Sequence, residues 1–376
     1  MKFSDIPSHE EVKSALRNMV NSGQIPHAIL LEGPAGIGKF AMARALAQYI
    51  QCTDRDANGD SCGKCKSCLL HQSLNHIDVT YVFPVVKLDS MKSAPVSDDF
   101  LAEWNDFFKS KVYLDINAWS ATFSKKNAQP VTYVTESASL IHKLAFTTHI
   151  SSQRIVLWWL PERMNEEAAN KLLKLIEEPY ENTIFIMVSD SPQEILPTIY
   201  SRVQRINMKR LPDDIITDNL MTSHPELSRQ NAMALAHISN GSMIAAERHF
   251  EWSGESTEFL DLFMQLMRLA YQRKIKELRS WANNLADMNR DKQMRFYDYT
   301  MHMIRENFIL NYHVPELTYL NSAESNFSVK FSPYINERNV ERLMTVFNNA
   351  KTDISGNGNS KIINLDVAIK VILLLK

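Results

Sequence analysis

The sequence predicts an α/β nucleotide-binding-type domain built on a parallel sheet, followed by helical regions. Three observations carry this reading. The apolar run "HAILLEG" leads into the glycine-rich "GPAGIGKF" (Gly33–Phe40) and then into the helical period of "FAMARALAQYIQ". Further apolar runs, "HIDVTYVFP", "RIVLWWL" and "TIFIMVS", alternate with helical segments, the order expected of parallel strands joined by crossover helices. Beyond Leu211-Pro212 the strand signal stops and only helical periods remain.

Taken in chain order, "HAILLEG" reads as a short buried strand and the glycines as the turn into the first crossover helix. "HIDVTYVFP" reads as a strand closed by Pro84. Residues 86–129 have mixed polarity, three aromatic clusters and no clear period, and read as an insertion. "TESASLIHKLAF" is helical, and "RIVLWWL" is a buried strand in which Trp158 and Trp159 belong to the core and its flank rather than to a base-stacking platform. "EEAANKLLKLIEEP" starts after Asn165, stops at Pro179 and gathers Ala169, Leu172, Leu173 and Ile176 on one face. Lys171 and Lys174 fall on its opposite face, read as solvated rather than as phosphate contacts. "TIFIMVS" is the last clear strand. "DDIITDNLMTSH" and "SRQNAMALAHISNGS" form a small helical unit. From about Glu258 onward four more segments, then "NLDVAIKVILLL", carry helical periods.

At 376 residues the chain exceeds one compact domain. With 45% hydrophobic and 22% charged residues it has the composition of an ordinary globular protein, and a net charge of −2 gives no global basic field for nucleic acid. The first residues lack an apolar signal core, and "VAIKVILLL" is too short to span a bilayer, so no membrane partner is expected and the cytoplasm is the expected location.

All four cysteines, Cys52, Cys62, Cys65 and Cys68, lie in "CTDRDANGDSCGKCKSC" as C-x9-C-x2-C-x2-C. A reducing compartment disfavours disulfides, and loops this short would strain them. Four thiolates around one tetrahedral Zn²⁺ account for both the count and the clustering, the metal then being structural; four free thiols are the competing reading.

A working phosphate-binding loop reads G-x-x-x-x-G-K-[ST], with backbone N–H groups and the lysine on phosphates and the final hydroxyl on Mg²⁺. Gly33, Gly36, Gly38 and Lys39 are in place, but Phe40 stands where the hydroxyl belongs. The second half of such a site is a strand ending in Asp-Glu. Here "IVLWWLPERM" ends in Leu160-Pro161, with Glu162 one place late. Two parts of the metal-dependent chemistry are missing, so the loop is expected to be catalytically dead, with weak or no ATP or ADP binding. His27, before the first strand, is read as packed or capping.

The stretches "IPHAILLEGPAGIGKFAMARALAQYIQC", "RMNEEAANKLLKLIEEPYENTIFIMVSDSPQEILPTIYSRVQRI" and "NGSMIAAERHF", with the cysteine segment, resemble the delta-prime family of bacterial DNA polymerase III clamp-loader subunits, AAA+ proteins similar to the tau/gamma ATPase. The resemblance covers most of residues 1–250. It implies an AAA+ domain over 1–210 with a zinc knuckle at 52–68, a helical lid over 211–252, and an oligomerising helical collar over 253–376. It also implies a non-catalytic stator that works with tau/gamma and delta subunits, and through the complex with the sliding clamp and primer-template DNA. In the lid motif, Ile244 stands where relatives carry an arginine that senses the γ-phosphate, a departure that favours delta-prime over tau/gamma. The family's Ser-Arg-Cys motif appears as Ser201-Arg202-Val203. By resemblance Arg202, read at a helix start, is an arginine finger for a neighbouring subunit's ATP; otherwise it is a surface arginine, as in a pair with Glu194. Two other functions remain open: an active tau/gamma-like ATPase, for which isolated-chain hydrolysis discriminates, and a P-loop nucleotide kinase, which would need an arginine-rich acceptor lid that "SNGSMIAAE" does not offer.

Overall fold

Five strands form one parallel sheet in the computed structural model: β1 (Ala28–Glu32), β2 (Val79–Val82), β3 (Arg154–Trp159), β4 (Thr183–Ser189) and β5 (Gln204–Asn207), in the order β2-β3-β4-β1-β5. The structure describes every residue except 57–58, 110, 124–128, 146–149, 254, 312–319, 321 and 376, and the side chains of 252, 253 and 322. Parts of the cysteine segment (57–58) and of the 86–129 segment (110 and 124–128), and the end of "TESASLIHKLAF", therefore lie outside the described residues.

The central strands β3 and β4 are buried along their whole length, which is why they read as unbroken apolar runs. Their side chains alternate between two cores. Ile29, Leu31, Ile155, Leu157, Ile186 and Val188 pack into one, with α1 (Glu10–Asn21) and α2 (Lys39–Gln51). Leu30, Val156, Trp158, Phe185 and Met187 pack into the other, with α6 (Val134–Leu144), α7 (Glu166–Glu177) and α8 (Pro197–Tyr200). The sheet thus carries helices on both faces, as the alternating pattern predicts. Between β1 and β3 lie α3 (Lys66–Gln72), α4 (Leu101–Phe108) and α5 (Ile116–Ser120), the last two inside the 86–129 segment.

The chain folds as two units, Met1–Glu247 and Arg248–Lys376. The first also holds α9 (Asp213–Ser223), α10 (Arg229–Ile238) and the start of α11 (Met243–Ser253). The second contains α12 (Ser256–Tyr271), α13 (Ile275–Ala286), α14 (Arg290–Leu310), α15 (Ser322–Phe331), α16 (Val340–Ser355) and α17 (Ser360–Leu374). Its own core centres on Phe263, Trp281, Phe296, Tyr297 and Phe347. Among the described residues no helix is long and apolar enough to cross a membrane.

Candidate functional site

The glycine-rich loop has the backbone of its motif but is filled by its own chain. Gly33, Gly36 and Gly38 all have positive φ, and Gly38 caps α2. A Cβ at Gly36 would collide with Ser242 Oγ and lie 3.0 Å from the Ile244 N, so the segment starting α11 rests directly on the loop. The Met243 N–H also donates to the Gly36 carbonyl at 2.9 Å. Over Gly38 lie Tyr113 and Val112, 3.5 and 3.6 Å from where a Cβ would be.

Lys39 is 4% exposed, and its ammonium turns back on the loop. It donates to the Gly33 carbonyl at 2.7 Å and to the Pro34 carbonyl, and it pairs with Asp190 at 2.7 Å. Burial lowers its pKa, and the Asp190 carboxylate works against that shift. These partners engage the donors that a phosphate would require. Asp190, just past β4, was not legible as a site residue, because the polar "SDSP" resembles any strand-ending loop.

Leu160 and Pro161 occupy the place of the metal-supporting acids. Leu160 adopts a left-handed conformation (φ 57°) and opens a short 3₁₀ turn, Pro161–Arg163. Glu162 accepts hydrogen bonds from the N–H groups of Asp190 and Ser191 at 2.9 and 3.1 Å, and burial pushes its pKa up. Its carboxylate is engaged in bracing the loop after β4.

Phe40 is 4% exposed and meets Trp104 and Phe108 edge-on, with ring centroids 5.5 and 5.6 Å away. Trp104 stacks on Phe83 at 4.3 Å and contacts Trp119 and Trp159 at 5.2 and 5.1 Å. Arg44, one turn further along α2, places its guanidinium 4.6 Å above the Phe108 ring. The residue that replaces the Mg²⁺-binding hydroxyl is therefore the dock for the 86–129 segment.

The four cysteine sulfurs lie within 4.8 Å of one another, with Cys52–Cys62 at 3.7 Å and Cys62–Cys68 at 3.9 Å. Zn–S bonds of about 2.3 Å set tetrahedral S···S edges of about 3.8 Å, so the spacing suits one such ion. Backbone N–H groups of Lys64 and Cys65 point at the Cys62 sulfur, and that of Cys68 at Cys65. Burial, reinforced by neighbouring sulfurs, pushes the Cys68 thiol well up, a cost that a bound cation would relieve. Gly63 supplies a positive φ at the turn, and Asp60 ties the cluster to the Phe3 and Ser4 N–H groups at 3.2 and 2.9 Å.

Arg202 lies elsewhere, on the edge of the first unit near β5. It follows the C-terminal end of α8, which corrects the expected helix start: Pro197 opens that turn and β5 begins at Gln204. Its partner is Glu177 rather than Glu194; Nε donates to that carboxylate and Nη1 to the Thr198 carbonyl at 2.6 Å. His27 is exposed rather than packed, and its carbonyl accepts from the Phe185 N–H at 2.8 Å because the chain there already runs alongside β4. Trp158 and Trp159 are buried, and Lys171 is exposed and pairs with Glu167 at 3.3 Å.

Residues 8–212 match the family described as "DNA polymerase III, delta subunit". The subunit delta' of Haemophilus influenzae is 28% identical over 225 residues, covering 58% of this chain and 54% of that one. The subunit delta' of Bacillus subtilis is 27% identical over 263 residues, covering 70% and 65%. A gamma/tau subunit of Mycobacterium bovis is 27% identical over 212 residues, covering 56% of this chain and 29% of that one. The chain thus spans between about half and two thirds of the length of these delta' relatives.

Proposed function

The chain belongs to the DNA polymerase III delta-subunit family, and from that premise we propose that it is a non-catalytic, delta-prime type stator of a clamp loader. One observation carries the choice against an active tau/gamma-like motor: Lys39 is bound to its own loop and to Asp190, while Phe40 is locked in an aromatic nest. A hydrolytic site needs that lysine on the β- and γ-phosphates and a hydroxyl and a carboxylate on Mg²⁺. Neither Phe40 nor Leu160-Pro161 offers a metal ligand. In this reading the work of the chain is done in trans: it completes a neighbour's ATP site with Arg202, and it joins tau/gamma and delta subunits through the helical collar of residues 253–376, with 211–252 as its lid. The sliding clamp and primer-template DNA are reached through that complex.

The expected result is that the purified chain shows no Mg²⁺-dependent ATP hydrolysis, yet enters a stoichiometric complex with tau/gamma-type and delta-type subunits by native mass spectrometry. Robust turnover by the isolated chain would instead assign it to the motor class.

The cysteine cluster is proposed to hold one structural Zn²⁺ through Cys52, Cys62, Cys65 and Cys68, the ion cross-linking the segment after α2 to the start of α3. Elemental analysis of protein purified without chelator should give one zinc per chain. Cys65→Ser should release it and loosen the N-terminal segment held by Asp60. Four freely titratable thiols and no metal would remove zinc from the account.

A further inference from the structure

Arg202 is not the only arginine that this edge presents. Among the described residues β5 pairs only with β1, and Arg205, Asn207 and Lys209 are all exposed along it. Arg205 has a built support. Its guanidinium lies 4.9 Å from the Tyr200 ring centroid, and Nη1 donates to the Tyr200 hydroxyl at 3.3 Å. That hydroxyl donates in turn to Glu32 Oε2 at 3.0 Å. Glu32 ends β1 and is itself fixed, its carbonyl accepting from the Met208 N–H at 2.8 Å. Both arginines are thus hung from α8, Arg202 by the Thr198 carbonyl and Arg205 by Tyr200.

The two differ in charge compensation. Arg202 is paired directly with a carboxylate and must give up Glu177 to take another anion. Among the described residues Arg205 reaches a carboxylate, that of Glu32, only through a hydroxyl, and its side chain is exposed. A guanidinium stacked on a fixed ring retains its geometry for phosphate at little entropic cost. We propose that Arg205 is a second anion contact, offered to the polyphosphate of the nucleoside triphosphate held by the neighbouring subunit. It strengthens nucleotide binding, whereas Arg202 acts on the transferring phosphoryl group. This rests on the trans-acting reading of Arg202 above.

The test uses the assembled complex and a fluorescent ATP analogue. Arg205→Gln, which retains the stem of the side chain, should weaken one class of nucleotide sites about fivefold, the size of effect expected for losing one exposed charge-assisted contact. Maximal turnover should stay within about twofold, well short of the losses that follow removal of an arginine finger. Tyr200→Phe keeps the ring but removes the link to Glu32, and should give a smaller loss in the same direction. Arg202→Ala should show the opposite division, with turnover lost and affinity nearly kept. If Arg205→Gln leaves affinity unchanged while Arg202→Ala abolishes stimulation, the second contact is wrong and the finger stands. If neither variant changes anything in an intact complex, both readings fall.

Discussion

Phe40→Ala should destabilise the first unit by about 3–5 kcal/mol, the range for emptying a buried aromatic site that cannot collapse. The ring is sealed between α2 and α4, and its neighbours Trp104 and Phe108 are themselves fully buried. Those large rings cannot shift to fill the hole without breaking the contacts of Trp104 with Phe83, Trp119 and Trp159. Phe40→Thr should be comparably harmful, since it leaves most of the cavity and adds a hydroxyl in apolar surroundings. It should restore no ATP hydrolysis, because Lys39 remains held by Asp190 and the loop, and Leu160-Pro161 still lack a carboxylate. Urea unfolding of the full chain, followed by tryptophan fluorescence, reads the loss directly. A shift below about 1 kcal/mol in the first unit's transition, or turnover in the threonine variant, would show that the aromatic dock is dispensable.

That prediction turns on a segment the sequence barely announced. Residues 86–129 show no sustained period, so helices of eight and five residues could not be separated from loop by pattern. The i, i+3, i+4 spacing of Trp104, Phe107 and Phe108 was an available signal, but nothing local says what those rings meet. β5 escaped for the opposite reason: an edge strand with Gln204, Arg205 and Asn207 exposed has no apolar run to display. By contrast, β1, the glycine loop and α2 were legible because their backbone demands glycine at fixed places. The cysteine cluster was legible because its ligands are close in sequence. The Lys39–Asp190 pair joins residues far apart in the chain, and only the parallel pairing of β1 with β4 brings them together.

Arg202→Ala should leave folding and assembly intact and remove the stimulation of one neighbouring ATP site, by about 10³-fold or more at that site if it acts as an arginine finger. The side chain is 37% exposed and its Glu177 partner 40%, so truncation opens no core cavity and removes a pair worth little to stability. In the proposed role the Glu177 pairing would be a resting state, holding the guanidinium at the edge until a more highly charged phosphate competes for it. Glu177→Gln should therefore keep or raise stimulation, whereas loss of Arg202 abolishes it. Arg202→Lys should rescue little, because an ammonium cannot reproduce the planar fork that bonds both Thr198 and a second acceptor. In the proposed clamp-loader ring the other sites would keep their own arginines, so total DNA-stimulated ATPase should fall only in part. Clamp loading should fall further if, as proposed, closure around DNA needs the sites to act together. An alanine variant that assembles and loads clamps at the unmodified rate would reduce Arg202 to a surface arginine and leave the chain a passive wedge.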